Sequence, residues 1–152
     1  MPATAASRAP VPARILLVDD NVSGLKARQM VLEELGYATV GTCCPKQALS
    51  LFRKQPFDLV ITDYKMPEMN GIELIAALRE KDPALPIILL SGYVDPLGLN
   101  EKSTGASSVI MKCANEVNHL IRATNRLLSA KLPRKPASTA SGKSRRKNVS
   151  SS

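Results

Sequence analysis

"FDLVITDYKMPEMNG", residues 57–71, is where the fold is decided. Leu59-Val60-Ile61 is an apolar run without alternation, the pattern of a strand buried on both faces. The run ends on a carboxylate, Asp63, and Pro67 and Gly71 then turn the chain. A strand buried on both faces implies a parallel sheet covered by helices, so helical patterns should lie on either side of this one.

They do. "RILLV" at 14–18 is a second unalternating strand, and "YATVGT" at 37–42 a third. "LPIILLS" at 85–91 and "SVIMK" at 108–112 complete a set of five. Residues 22–35 read as a helix with Leu25, Val31, Leu32 and Leu35 inward, and Gly36 stands where a helix C-terminus favours glycine. Pro45 suits the first turn of a helix over 45–54 that places Ala48, Leu51 and Phe52 on one face. "GIELIAALRE" at 71–80 carries Ile72, Ile75 and Leu78 inward. The last helix starts near Asn115, with Val117, Leu120, Ile121, Thr124, Leu127 and Leu128 as its inner stripe. Between Ser91 and Gly105 the pattern is poor. Pro96 and Gly98 predict an irregular, mobile segment at 94–104 in place of a full helix. The expected fold class is α/β, a five-stranded parallel sheet doubly wound by helices, with right-handed crossovers.

Composition bounds the rest. The chain has 152 residues, 44% of them apolar, enough for one domain with a full core. No apolar stretch approaches the roughly 20 residues of a membrane span, and no signal-peptide pattern opens the chain, so a cytoplasmic location is the default. Residues 14–130 hold thirteen basic and thirteen acidic side chains, whereas residues 131–152 hold seven basic and none acidic. The formal charge of +8 is therefore mostly that of a tail. Residues 1–13 and 131–152 are Ala/Pro- and Ser/Pro/Lys/Arg-rich and read as a disordered arm and a disordered basic tail around a domain at 14–130. The tail allows only a weak, salt-dependent contact with nucleic acid, since it has no aromatic residue to stack bases. Cys43, Cys44 and Cys113 form no CxxC pair and have no ligand-like spacing to His119. They read as reduced thiols, buried or half-buried.

In a parallel sheet the site lies at the carboxyl ends of the strands. Those ends carry Asp19 and Asp20, Asp63, Ser91 and Lys112. Three carboxylates gathered on one edge repel one another unless a cation sits between them. Oxygen-only acidic ligands point to Mg²⁺ rather than Zn²⁺. The hydroxyl and the amine then suit a phosphoryl group arriving with the metal, and Asp63 suits a nucleophile that becomes an aspartyl phosphate.

With "LLVDDN", "DLVITDYKMPEMNG", "IILLSGY" and "GASSVIMK" in order, residues 14–128 resemble a receiver domain of the two-component response regulators. The resemblance implies the flavodoxin-like receiver fold and a role for each residue. Asp63 is the expected phospho-acceptor. Asp20 binds Mg²⁺ directly, Asp19 helps through water or charge, and the Lys65 carbonyl is a further ligand. The Ser91 hydroxyl bonds the phosphoryl oxygen, and Lys112 pairs with the phosphoryl group. Pro67 and Gly71 match the turn after the acceptor. The expected donor is a phosphohistidine of a sensor histidine kinase or phosphotransfer protein. The expected output is partner docking or onward relay by a stand-alone receiver. Such a protein is not an enzyme acting on a separate substrate, although it catalyses its own phosphorylation and dephosphorylation.

Two positions depart from the family pattern. Cys113 replaces the usual proline after the lysine. A cis bond to a non-proline residue costs about 3–4 kcal/mol, which predicts a trans Lys112–Cys113 bond. Val109 stands where the family carries a rotating Tyr or Phe, and valine is stiff at χ1. These departures keep one alternative open, a pseudo-receiver that binds partners without being phosphorylated. An Asp-nucleophile phosphatase fits less well, because Lys65 stands where its general acid belongs. A dinucleotide site fails for want of GxGxxG after the first strand.

Overall fold

A computed structural model describes residues 12–92, 99–113 and 115–131. Its strands are β1 (Arg14–Val18), β2 (Ala38–Thr42), β3 (Leu59–Asp63), β4 (Ile87–Ser91) and β5 (Ser108–Met111). Its helices are α1 (Val22–Leu35), α2 (Pro45–Lys54), α3 (Gly71–Lys81), α4 (Glu101–Thr104) and α5 (Glu116–Lys131). All strand pairs are parallel and the order is β2-β1-β3-β4-β5, as the alternation of apolar runs and helices predicts. Most of the expected arm and tail lies outside the described residues. Ala13 does not: its carbonyl accepts the Ala38 N–H, and its side chain packs against the core.

The unalternating strands are apolar throughout because both faces are covered. Ile15, Leu17, Leu59, Ile61, Ile88 and Leu90 face a core shared with α1 and α5. Leu16, Val18, Val60, Ile87 and Leu89 face a second core shared with α2 and α3. Period-two alternation thus persists, but between two apolar layers. Tyr37, at the entry to β2, donates to the Asn125 side chain of α5, and burial pushes its phenol up to about 12.

Two sequence expectations need correction. Val117 is exposed, because α5 turns its face inward only from Leu120 onward, through Ala123, Thr124 and Leu128. The three cysteines are free and exposed rather than buried. They sit in the turn before α2 and just beyond β5, where the chain leaves the sheet and a small apolar side chain has nothing to pack on. Of the segment expected at 94–104 to lack a full helix, the described part holds only a single helical turn, Glu101–Thr104. Asn100 and Ser103 form a reciprocal cap, and Gly105 ends the turn with φ of 81°. Residues 94–98 of that expectation lie outside the described residues.

Candidate functional site

The loop after β3 is built by backbone contacts that admit no side chain at one point. The Gly71 N–H donates to the Tyr64 carbonyl at 2.7 Å, folding residues 64–71 back on themselves. A Cβ on Gly71 would lie 2.5 Å from the Asp63 carbonyl oxygen and 2.6 Å from Leu89 Cδ1. Only glycine fits this approach. Asn70 then caps α3, with Glu73 returning a bond to the Asn70 N–H. The result carries the chain away from the sheet edge and leaves the Asp63 carboxylate facing an open cleft of about 680 Å³.

Every strand-end residue singled out from the sequence reaches that edge. Asp20, Asp63, Lys65, Ser91 and Lys112 line the cleft, together with Asn21 and Tyr64. Asp19 stands just behind Asp20, and carboxylate oxygens of Asp19, Asp20 and Asp63 lie within 4.8 Å of one another. Asp19 and Asp63 are buried, whereas Asp20 is exposed. Sheet hydrogen bonds continue past the strand ends and hold these residues: Asp19 N–H donates to the Thr42 carbonyl, Tyr64 N–H to Leu90, and Lys112 N–H to Ser91.

Lys112 Nζ lies 2.6 Å from Asp63 Oδ1. Burial raises the Asp63 carboxyl above its ordinary value, Lys112 opposes that by hydrogen bond and charge, and nearby Asp19 adds to the rise. Both Asp19 oxygens accept a bond: Oδ1 from the Asn21 N–H at 2.9 Å, and Oδ2 from Arg28. Arg28 Nε donates to Glu116 at 2.6 Å. Burial opposes the Arg28 charge, but Glu116 and then Asp19 outweigh it and hold the guanidinium above its ordinary value.

The donor set fits a hard divalent cation, since three carboxylates and the nearby Lys65 backbone offer oxygens only. The Lys112–Cys113 bond is trans, in keeping with the cost of a cis bond before cysteine. Val109 is half-buried against the α2/α3 core. Its N–H is accepted by the Glu101 carboxylate of α4 at 3.1 Å.

Residues 15–125 match the family described as the response regulator receiver domain. The chain belongs to that family. The transcriptional regulatory protein ZraR of Escherichia coli K12 is 33% identical over 99 residues, covering 64% of this chain and 22% of ZraR. The Arabidopsis thaliana two-component response regulator ARR12 is 38% identical over 107 residues, covering 68% of this chain and 18% of ARR12. This receiver thus spans about a fifth of the length of these relatives. Among solved structures it is similar to the Thermotoga maritima response regulator TrrA in complex with Mg²⁺-BeF. Identity there is 30%, with a TM-score of 0.69 over 76% of this chain and 98% of that one. Accepting a phosphoryl group is the general role of receivers, which bind Mg²⁺ at an acidic pocket and work with histidine kinases or phosphotransfer proteins. No helix among the described residues is long and apolar enough to cross a membrane.

Sequence reading missed Arg28 and Glu116. The available signal was Gly24 in the first turn of α1, one helical turn before an arginine on the same face. That spacing shows only that two residues are neighbours on α1. It does not reveal that Asp19 and the start of α5 come together there.

Proposed function

We propose that this receiver takes a phosphoryl group from a phosphohistidine onto Asp63. The observation that carries the reading is the Lys112 ammonium on Asp63 Oδ1, beside three clustered carboxylates in an open cleft. Asp63 Oδ attacks phosphorus, the nitrogen–phosphorus bond of the donor breaks, and its electron pair returns to the imidazole. Lys112 stays close to the phosphoryl oxygens and offsets their charge as Asp63 becomes an acyl phosphate. Ser91, at the end of β4, supplies a hydroxyl to a phosphoryl oxygen. Asp20 and Asp63, with Asp19 behind them and the Lys65 carbonyl beside them, would hold Mg²⁺. When bound, Mg²⁺ neutralises charge between acceptor and phosphoryl group. Burial of Asp63 strips water from the nucleophile, and the cleft's opening admits a bulky donor side chain.

The partner is a sensor histidine kinase or a histidine phosphotransfer protein, encountered in the cytoplasm. Output passes by docking or onward relay, and the receiver catalyses only its own phosphorylation and hydrolysis. The test is to incubate the full chain with Mg²⁺ and acetyl phosphate and look for an acid-stable, base-labile mass gain, absent from Asp63→Asn. Val109, a half-buried β-branched residue with no ring to swing, favours a second reading, a binding module indifferent to phosphate. No mass gain under any donor, phosphohistidine included, would favour that second reading.

A further inference from the structure

Arg28 touches two acids from two different elements. Its Nη1 meets Asp19 Oδ2, and its Nε meets Glu116 Oε2 at 2.6 Å. Asp19 is only 3% exposed, so this contact is poorly screened. Space for it has been kept. A Cβ on Gly24 would lie 3.2 Å from Arg28 Nη1 and 3.4 Å from Asp19 Oδ2. Glycine in a helix costs roughly 1 kcal/mol relative to alanine, yet it stands in the first turn of α1 directly against this pair. The two contacts also fill the guanidinium fork on two sides, which a lysine could not reproduce.

The charges around the cleft can be counted. Asp19, Asp20, Asp63 and Glu116 carry four negative charges, and Arg28 and Lys112 carry two positive ones. Lys65, which also lines the cleft, adds a third positive charge, so the excess is one negative charge. Each Asp19 oxygen already accepts one bond, Oδ1 from the Asn21 N–H and Oδ2 from Arg28, so a cation drawing on Asp19 competes with Arg28 for its charge.

We propose that Arg28 is an internal counter-ion of the acid cluster, shared between Asp19 and Glu116, that weakens and thereby sets the affinity for Mg²⁺. This rests on the reading that the cluster binds Mg²⁺. Arg28 is a positioning residue: it touches neither donor nor phosphoryl group. Glu116 acts through it, drawing the guanidinium partly off Asp19. The start of α5 is thereby tied to the state of the cluster, because an ion that draws Asp19 inward loosens the Asp19–Arg28 contact and leaves Arg28 to Glu116.

The test is a Mg²⁺ titration of the full chain at low ionic strength, followed by amide chemical shifts, for the unaltered chain, Arg28→Gln, Arg28→Lys, Glu116→Gln and the Arg28→Gln/Glu116→Gln double variant. Removing one unit charge this close should tighten Mg²⁺ about tenfold in Arg28→Gln, and the gain should shrink as salt is added. Arg28→Lys, which keeps the charge, should stay within about threefold of the unaltered chain. Glu116→Gln should weaken Mg²⁺ by about threefold, and in the Arg28→Gln background it should change little, the signature of action through Arg28. A purely structural Arg28 would lower the melting temperature and leave the affinity of Arg28→Gln unchanged, which overturns the proposal. Weaker binding in Arg28→Gln overturns it too. If Arg28→Gln does not fold, an unchanged affinity in Glu116→Gln overturns it alone. Absence of Mg²⁺ binding by the unaltered chain removes the site reading itself. Binding that is lost in Asp20→Asn while Arg28→Gln and Glu116→Gln match the unaltered chain removes only the role of Arg28.

Discussion

The two sides of the cleft are built differently. On the β1–β3 side, Asp19, Asp20 and Asp63 are held by a backbone with no slack: Gly71 closes on Tyr64, and Asp19 is bonded through both oxygens. On the β4–β5 side, Ser91 and Lys112 occupy matching strand ends, but the surroundings are looser. The strand is an edge, the helix before it has one turn, Val109 has no ring, and Cys113 is exposed. On the proposed reading both sides supply groups that would handle a phosphoryl group, Asp63 from the first and Ser91 and Lys112 from the second, and only the second also borders the elements that would announce it. Handling needs groups at fixed positions, and announcing needs an element with two arrangements.

The sharpest break on the rigid side is Asp63→Asn, which should abolish the mass gain from acetyl phosphate completely. The same variant tests the electrostatics. A carboxyl whose folded pKa lies above its ordinary 3.8 lends stability that is full below that value and lost as pH rises through the folded pKa. At neutral pH the Asp63 charge is therefore a cost. Asp63→Asn should raise the melting temperature there, and the gain should fade as pH drops toward 4. An equal gain at all pH values would mean that burial of the charge is not its source.

Next in size is Gly71→Ala. Its Cβ has backbone on one side and Leu89 on the other, so about 2–3 kcal/mol of stability should be lost in chemical denaturation. A loss below about 0.5 kcal/mol would show that the loop has slack and would erase the contrast with the β5 side.

On the looser side smaller effects are expected. Glu101→Ala removes the acceptor of the Val109 N–H, an exposed bond, and should cost about 0.5–1 kcal/mol. Hydrogen exchange should quicken at Val109 and leave Ile61 unaffected. Faster exchange through β3 would mean that the two sides move together.

The smallest effect is expected away from the cleft. Thr124 is fully buried in α5, and its hydroxyl finds no partner among the described residues. Thr124→Val keeps the shape and removes the unsatisfied group, so stability should be unchanged or rise by about 1 kcal/mol. A clear loss would show that the hydroxyl is satisfied after all.

Much of this was legible in sequence because it depends on local pattern. Leu59 to Asp63 reads as a strand from its unbroken apolar run, and once the sheet is parallel, Asp19, Asp63, Ser91 and Lys112 must share an edge. Asp20 follows by adjacency and Lys65 by the family motif. Cys43, Cys44 and Cys113 were misread because composition favours burial of cysteine, whereas their positions in turns decide exposure. Val117 was misread because a helical stripe gives direction but not where packing begins.

By itself, then, the sequence determined the α/β order, the two-layered apolar strands and the list of strand-end groups. These follow from periods of 2 and 3.6 residues and from chain order. Tertiary structure alone decided which charges neutralise which. Lys112 lies on Asp63, and Arg28 is divided between Asp19 and Glu116, 88 residues away along the chain. Coulomb energies depend on distances of a few ångströms between side chains from different elements, and no local pattern encodes those distances.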